Sequence, residues 1–476
     1  MSEQPTFRKT KIVCTIGPVT STPERIRAMI LAGMDVARLN FSHGDHESHR
    51  QTLRRIREIS KELGKEIGVL QDLAGPKIRL GNLPNEERML QTGERIALSP
   101  VEGDDPAVIP VNYPYLVEDV AVGNRILLAD GLVLLKVLFK EADRVICEVL
   151  AGGAIQSHKG LNLPSSSLRI PAFTEKDRKD LEVGLEAGVD FVALSFVRHE
   201  KDLEPVRDIL NQTSSPPLLI AKIERPQAVE RLESILKNVD GVMVARGDLG
   251  VEMPFEEVPL IQKRIIRMAR QAATPVITAT QMLRSMMDSP RPTRAEAADV
   301  ANAVLDGTDA LMLSDETAMG AYPVEAVRVL DRIAGEVERH SEVRSFADEA
   351  TSDALPATAS AIGRAACTMA EELHAQAIVA ATSSGSTARL VARFRPRRPV
   401  LALTPNPRTE RQLTLSWGVI PALVEPFTET EKIFDLAGSW ALEHGFARPG
   451  QRLVVTAGVP VGQPGMTNLL KVMEIE

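Results

Sequence analysis

Cysteine is nearly missing. Cys14, Cys147 and Cys367 are the three in 476 residues, far apart and odd in number, which speaks against a disulfide framework and suits small buried side chains in a reducing compartment. No apolar run reaches the ~18 residues of a membrane-spanning helix. The N-terminus, MSEQPTFRKTK, has no apolar signal-like stretch, so a cytoplasmic location is expected. Long blocks of one charge are absent too: 64 acids and 56 bases are interspersed for a net charge of −8. Neither a nucleic-acid partner nor a membrane partner is therefore expected. The phosphate loop Gly-x4-Gly-Lys-Ser/Thr and the protein-kinase signatures are missing, which leaves any nucleotide chemistry to another kind of site. The composition that remains, 44% apolar, 25% charged and 4% aromatic, is that of an ordinary soluble globular protein. Its length implies two or three domains.

Periodicity supplies the order. Apolar runs at Lys11–Gly17, Val36–Ser42 and Ile67–Leu73 predict three strands, with helices opening at Thr22-Pro23 and at about His46. From Gly75 to about Pro171 no strong helical period appears. Short strands such as Arg125–Leu128, Leu132–Leu138 and Val145–Leu150 alternate there with Gly and Pro, as in a small β-rich insertion. Alternation resumes at Thr174, with strands predicted at Phe191–Phe196, Leu218–Glu224, Gly241–Asp248, Pro275–Met282 and Ala310–Glu316. The intervening helices are predicted at His199–Leu210, Arg225–Asn238, from about Phe255 to Ala272, around Arg294–Leu305, and at Pro323–Val337. Eight βα units with one inserted lobe predict an α/β fold, a (β/α)8 barrel of the TIM type, with a doubly wound open sheet as the alternative. After a charged bridge near Glu336–Glu349, a further αβ series ending at Leu469–Ile475 predicts a separate C-terminal sandwich. The expected division is 1–74 and 171–340 for the barrel, 75–170 for the lobe and 341–476 for the sandwich.

In a barrel all strands finish at one rim, where their side chains converge. The predicted strand ends are polar: Arg38, Asn40 and Ser42; Asp72, with Lys77 and Arg79 just beyond; Ser195; Lys222 and Glu224; Arg246 and Asp248; Thr280 and Gln281; Ser314 and Glu316. Glu224 and Asp248, on neighbouring strands, suit Mg²⁺ or Mn²⁺, which take few protein oxygens and leave room for substrate; a structural carboxylate pair neutralised by Lys222 and Arg246 is the plainer reading. Arg38, Arg79 and Lys222 aimed at one cavity fit a phosphoryl ligand. Lys222 on a barrel strand could be a Schiff-base nucleophile. Beside Glu224, Asp72 and a metal site it should stay an ammonium, which favours a phosphoryl clamp. The run His43-Gly44-Asp45-His46-Glu47-Ser48-His49 has no spacing of a closed zinc set and reads as a helix start.

These rim residues resemble the pyruvate kinase family. The resemblance rests on Arg38-Leu39-Asn40-Phe41-Ser42-His43-Gly44, Asp72-Leu73-Ala74-Gly75-Pro76-Lys77-Ile78-Arg79, Ala221-Lys222-Ile223-Glu224-Arg225 and Met243–Gly250. It continues through Thr278–Met282, Pro292–Glu296, Asp299–Gly307 and Met312–Thr317. It implies transfer of the phosphoryl group of phosphoenolpyruvate to ADP, giving pyruvate and ATP. It further implies Glu224 and Asp248 on Mg²⁺, and Lys222 and Arg38 on the transferring group. The carboxylate would be held by the Gly247 and Asp248 amides with Thr280. Arg79, Lys159, Asn40, Ser42 and His43 would lie on the nucleotide side. Thr280 and Ser314 would serve a water chain to the enolate. The lobe would be a barrel-like lid, and the assembly a homotetramer.

Lys77 departs from the family pattern, in which many members carry Glu there and need K⁺ near the counterparts of Asn40, Ser42 and Asp72. An internal ammonium predicts an enzyme that does not require K⁺. Asp315 stands where Gly or Ala is usual. The loop Thr382-Ser383-Ser384-Gly385-Ser386-Thr387 opens a helix, as a phosphate nest or as simple capping. In the family this position takes phosphorylated effectors; with no Lys or Arg inside the loop, a monophosphate sugar or nucleotide is expected. Two rival functions are a lyase or aldolase acting on a pyruvate enolate, and a non-catalytic effector-binding barrel. An aldol reaction has no phosphoryl group for Arg79, Lys159 and Lys222 to clamp, and a decayed barrel would not keep every rim group.

Overall fold

A computed structural model describes residues 7–101, 105, 107–129, 131–164, 169–340, 355–460 and 466–476. Eight parallel strands close into a barrel: β1 (Lys11–Thr15), β2 (Val36–Asn40), β3 (Gly68–Asp72), β4 (Phe191–Leu194), β5 (Leu218–Ile223), β6 (Gly241–Ala245), β7 (Val276–Ala279) and β8 (Ala310–Leu313). β1 pairs with both β2 and β8, so no edge is left and the open-sheet alternative falls.

The strand period of two explains both the core and the site. Val13, Val36, Leu70, Phe191, Ala193, Ile220, Met243, Ile277, Ala279, Ala310 and Met312 pack together inside the barrel. Their neighbours in sequence, such as Ala221, Val242, Val244 and Leu311, pack outward against the helices. Moving two residues toward the carboxyl end keeps a side chain on the inner face. That step leads from Val36 to Arg38, from Leu70 to Asp72, from Ala193 to Ser195 and from Ile220 to Lys222. Leu415, from the C-terminal region, joins the interior cluster from below.

The chain leaves the barrel at Gly75, whose φ of +64° suits glycine. The lobe beyond it holds a six-stranded mixed sheet and a two-stranded one around their own apolar core. The six-stranded sheet is open, where a small barrel is expected. Single bridges, Arg79 with Gly160 and Leu80 with Val111, pass across its two edges and bring it close to closure. The C-terminal sheet runs Val419–Leu423, Val400–Thr404, Ala377–Ala381, Arg452–Ala457 and Leu469–Glu474, the last antiparallel. Alternate residues of Ala377–Ala381 face two separate clusters, one under helices Ala357–Glu372 and Ser386–Ala392, the other under Thr430–Glu443. No described helix is long and apolar enough to cross a membrane. Part of the predicted charged bridge, 341–349, lies outside the described residues.

Several predicted boundaries shift. Strand β6 stops at Ala245, and Arg246–Glu252 forms a short helix in place of the strand end. The predicted helix Arg225–Asn238 is two short helices, Pro226–Glu230 and Leu232–Leu236, joined at Arg231. β7 ends at Ala279, after which Thr280 and Gln281 take φ of +74° and +57°. The last of these matters most for the site, because positive φ at a β-branched residue needs outside support.

Candidate active site

Lys222 is the centre of the rim. Its Nζ lies 2.8 Å from Glu224 Oε1 and 3.3 Å from Asp72 Oδ1, and it donates to Ser195 Oγ at 2.7 Å. Ser195 in turn donates to the Leu73 carbonyl at 2.7 Å, so its remaining acceptor capacity faces the lysine. Burial alone would pull this ammonium down. The charges of Asp72, Glu224 and Asp248 more than offset burial and hold it above its ordinary value. A lysine held this firmly charged is a poor Schiff-base nucleophile and a good clamp for a transferring anion.

Asp72 serves two cations at once. Arg38 Nε donates to its Oδ2 at 2.7 Å, and Arg38 Nη1 to Thr15 Oγ1 at 2.8 Å. Asp72 is buried, which opposes its charge, but Lys222 and Arg38 keep its carboxyl below the usual range.

Glu224 and Asp248 are the donor set for a divalent ion. Glu224 is buried; its Oε2 accepts from the Phe196 amide at 2.8 Å, and each oxygen keeps a lone pair beyond its contact with Phe196 or Lys222. Burial pushes its carboxyl up; Lys222 pulls it back, and the nearby charge of Asp248 pushes it up again. The Asp248 carboxylate takes no hydrogen bond or ion pair among the described residues. Two like-charged carboxylates, one buried and one uncommitted, fit a hard cation that takes oxygen ligands and relieves their repulsion. No group of three or more His, Cys, Asp or Glu side chains suited to a metal occurs among the described residues.

Arg246 settles into a supporting place. It turns away from the two carboxylates and donates to the Ala279 carbonyl at 3.1 Å, the Thr280 carbonyl at 2.7 Å and Asp299 Oδ1 at 2.7 Å. This anchors the strained Thr280–Gln281 turn. Gly247 lies against that turn: a Cβ there would come within 2.7 Å of Thr280 Cγ2. The small residue lets the Gly247–Asp248 backbone and the Thr280 side chain share one corner of the rim. Ser314 donates its amide to Glu316 Oε2 at 2.8 Å, and the other oxygen of that buried carboxylate takes the Leu283 amide at 3.1 Å. Glu316 thus ties the loops after β7 and β8 together. Asp315 pairs with Arg284 at 2.7 Å on the exposed side.

The remaining predicted residues lie on one flank. Asn40 Oδ1 accepts from the Ser42 amide at 3.1 Å. The His43 imidazole is pulled down by partial burial and then by the positive field of Lys77, Arg79 and Arg38, with Asp315 acting the other way. His43, just past β2, is thus acted on by charged groups that follow β3 and β8 as well as by one on β2 itself. Lys77 is exposed and makes no ion pair among the described residues. Arg79 and Lys159 belong to the lobe; Arg79 Nη1 donates to the His158 carbonyl at 2.9 Å, and Lys159 is exposed. His46 bonds Asp180 at 2.7 Å, and His49 stacks on Phe41, each at the start of helix His46–Leu63 capped by Asp45.

The loop Thr382–Thr387 is far along the chain, on the C-terminal sheet. The Gly385 amide donates to Thr382 Oγ1 at 2.9 Å, and Ser384 Oγ donates to Ser386 Oγ at 3.1 Å. A cation is present after all. Arg389, one helical turn on, donates from Nη2 to the Ser384 carbonyl at 3.2 Å. Its Nη1, next to Gly385, is enclosed without a hydrogen-bond partner. Its sequence position outside the loop hid it, although i to i+4 spacing on a helix places it beneath Gly385.

A closed α/β barrel with a half-buried, charge-held lysine between a candidate metal pair and an arginine defines a phosphotransferase site at the carboxyl rim. The family model described as "Pyruvate kinase, barrel domain" matches residues 7–327, and "Pyruvate kinase, alpha/beta domain" matches 360–473. The chain is 47% identical over 480 residues to "Pyruvate kinase 2" of Synechocystis sp., covering 99% of this chain and 80% of that one. It is 43% identical to the pyruvate kinase of Clostridium acetobutylicum, covering 99% of this chain and 100% of that one. A crystal structure of a pyruvate kinase from Cryptosporidium parvum superposes with a TM-score of 0.92 at 37% identity, covering 98% of this chain and 96% of that one. The chain belongs to the pyruvate kinase family. It is a kinase that moves a phosphoryl group between an enol oxygen and a nucleoside diphosphate.

Proposed function

We propose that phosphoenolpyruvate and ADP meet over Lys222, which stabilises the phosphoryl group as it passes between them. The observation that carries this reading is the charge-held ammonium of Lys222 between Asp72 and Glu224. Arg38 shares the transferring group. The Gly247 and Asp248 amides with the Thr280 hydroxyl hold the substrate carboxylate. Glu224 and Asp248 hold Mg²⁺ or Mn²⁺, which when bound supplies Lewis-acid neutralisation of the oxygens at the reacting centre. Asn40, Ser42, His43, Arg79 and Lys159 receive the nucleotide phosphates. The bond from phosphorus to the enol oxygen breaks as a β-phosphate oxygen of ADP takes the phosphoryl group, and the enolate left behind takes a proton at C3 by way of Thr280 and Ser314. Positioning and charge do nearly all the work in such a transfer.

The lobe, 75–170, acts as a lid that excludes water from the nucleotide side. The region 341–476 carries an effector site and the contacts of a homotetramer in the cytoplasm. Lys77 replaces K⁺ near Asn40, Ser42 and Asp72. What supports this is an ammonium just beyond β3 that makes no ion pair among the described residues, with its positive charge acting on His43. The loop Thr382–Thr387 takes a phosphomonoester effector, with Arg389 as the cation that the loop itself lacks.

A coupled assay with phosphoenolpyruvate, ADP and Mg²⁺ tests the core. Metal-dependent pyruvate formation that collapses in Glu224→Gln and in Asp248→Asn is expected; unchanged turnover in either variant rejects the metal assignment. Activity in K⁺-free Tris buffer should match that in K⁺ buffer, and a large deficit without K⁺ rejects the Lys77 role. Ribose 5-phosphate or AMP should shift phosphoenolpyruvate saturation. A shift given only by fructose 1,6-bisphosphate contradicts the monophosphate reading.

A further inference from the structure

Glu252 closes a ring of contacts that joins both ends of the lobe to both candidate metal carboxylates. It is the last residue of helix Arg246–Glu252, whose first turn carries Gly247 and Asp248. Its Oε1 accepts from Asn162 Nδ2 at 3.0 Å and pairs with Arg225 Nη1 at 3.2 Å. Asn162 lies on Leu161–Asn162, the last strand of the lobe, three residues past Lys159. Arg225 follows Glu224 directly and stacks over the Phe196 ring at 5.3 Å. Phe196 donates its amide to Glu224. Its ring also fills the space beside Gly75, where a Cβ would come within 2.7 Å of Phe196 Cδ2. The chain enters the lobe at Gly75 and reaches Asn162 shortly before it returns.

This arrangement is more than packing. Glu252 is buried, and its Oε2 is enclosed with no hydrogen-bond partner. A buried carboxylate oxygen without a donor is costly, and apolar replacements of similar shape avoid that cost. An acid kept here makes sense if the donors around it rearrange when the lobe moves, because the second oxygen is then ready for one of them. The seven-residue helix is too short to bend, so a shift at Glu252 is felt at Asp248.

We infer that Glu252 is a positioning residue that couples the place of the lobe to the alignment of Glu224 and Asp248, so that nucleotide capture by the lobe and divalent-ion affinity are linked. The inference rests on the reading of Glu224 and Asp248 as the metal pair. Metal binding to the free enzyme is measured by the electron paramagnetic resonance of unbound Mn²⁺, without substrates; the KM for ADP is measured separately. Glu252→Ala should weaken Mn²⁺ at least fivefold and raise the KM for ADP at least fivefold. Asn162→Ala should raise the KM for ADP with little change in thermal midpoint. The double variant should be no worse than Glu252→Ala alone, and Glu252→Gln, which keeps an acceptor for Asn162, should recover most of the ADP effect. Mn²⁺ affinity and KM for ADP within twofold of the parent in Glu252→Ala, or independent effects in the double variant, overturn the coupling. Should Glu252→Ala fail to fold, an unchanged KM for ADP in Asn162→Ala overturns it. An Asp248→Asn enzyme with unaltered Mn²⁺ affinity would instead overturn the metal reading beneath it.

Discussion

Lys222 and Lys11 are two lysines of one barrel with opposite surroundings, Lys11 buried and Lys222 half-buried. Lys222 sits at the carboxyl rim among Asp72, Glu224 and Asp248, which overcome burial and hold it above its ordinary value. Lys11 opens β1 at the other end and donates to the Val419 carbonyl of the C-terminal sheet at 2.8 Å. Burial dominates there, and the charge of Asp35 does not offset it, so Lys11 is pulled down to about 8. Arg38 and Lys222 share Asp72, whereas beneath the barrel Arg393 reaches the Gln271 carbonyl at 2.9 Å, and Arg395 reaches the Gly307 carbonyl at 2.7 Å and pairs with Asp309 Oδ2 at 2.9 Å. Carbonyls and carboxylates together fasten the C-terminal region to the barrel, the latter through Arg395–Asp309 and Arg411–Asp190. Carboxylates are needed where a cation must stay charged in a closed, reacting site.

The sharpest way to break this contrast is Asp72→Asn, which leaves Arg38 and Lys222 without their shared buried partner. Removing one member of a buried ionic set costs about 3–5 kcal/mol, so the urea midpoint should fall clearly. The other end is tested through pH. The folded pKa of Lys11, about 8, lies below its ordinary value of 10.5, so the unfolded chain binds the proton more tightly. The contribution of Lys11 is therefore least favourable below pH 8 and rises between about 8 and 10.5, by about 3 kcal/mol at full swing. Lys11→Met should remove that rise, seen as the difference between two urea-unfolding series across this window.

Arg246→Met should have a smaller effect. It deprives the Thr280 turn of its charged hydrogen bonds, worth about 2 kcal/mol, and kcat/KM for phosphoenolpyruvate should fall roughly thirtyfold. Least of all should change in Asp315→Ala, since its pair with Arg284 is exposed on both sides. Exposed pairs contribute about 0–1 kcal/mol, and a shift in unfolding midpoint beyond that range would show that Asp315 does more.

The barrel was legible because strand parity and rim chemistry reinforce each other: each inward step from Ile220, Leu70 or Val36 ends on a charged group. What stayed hidden depends on direction and on the close of elements. Gly241–Asp248 reads as one run, yet the chain turns helical at Arg246 and swings that guanidinium toward Thr280. Arg389 falls outside the loop it supports, and Asn162 meets Glu252 across 90 positions. Spacing along the chain carries no signal for such a pair. The near-closure of the lobe likewise depends on two isolated bridges, which leave no pattern in the sequence.

The central claim is that the charge held on Lys222 acts on the transferring group. It is tested most directly by the steady-state kinetics of Lys222→Met with saturating Mg²⁺ and ADP. A loss of about 3 kcal/mol or more of transition-state stabilisation, a fall in kcat of roughly a hundredfold or greater with little change in the KM for phosphoenolpyruvate, is the expected result. A folded variant whose kcat stays within about tenfold of the parent enzyme, a barrier change of ~1.4 kcal/mol at most, would contradict it.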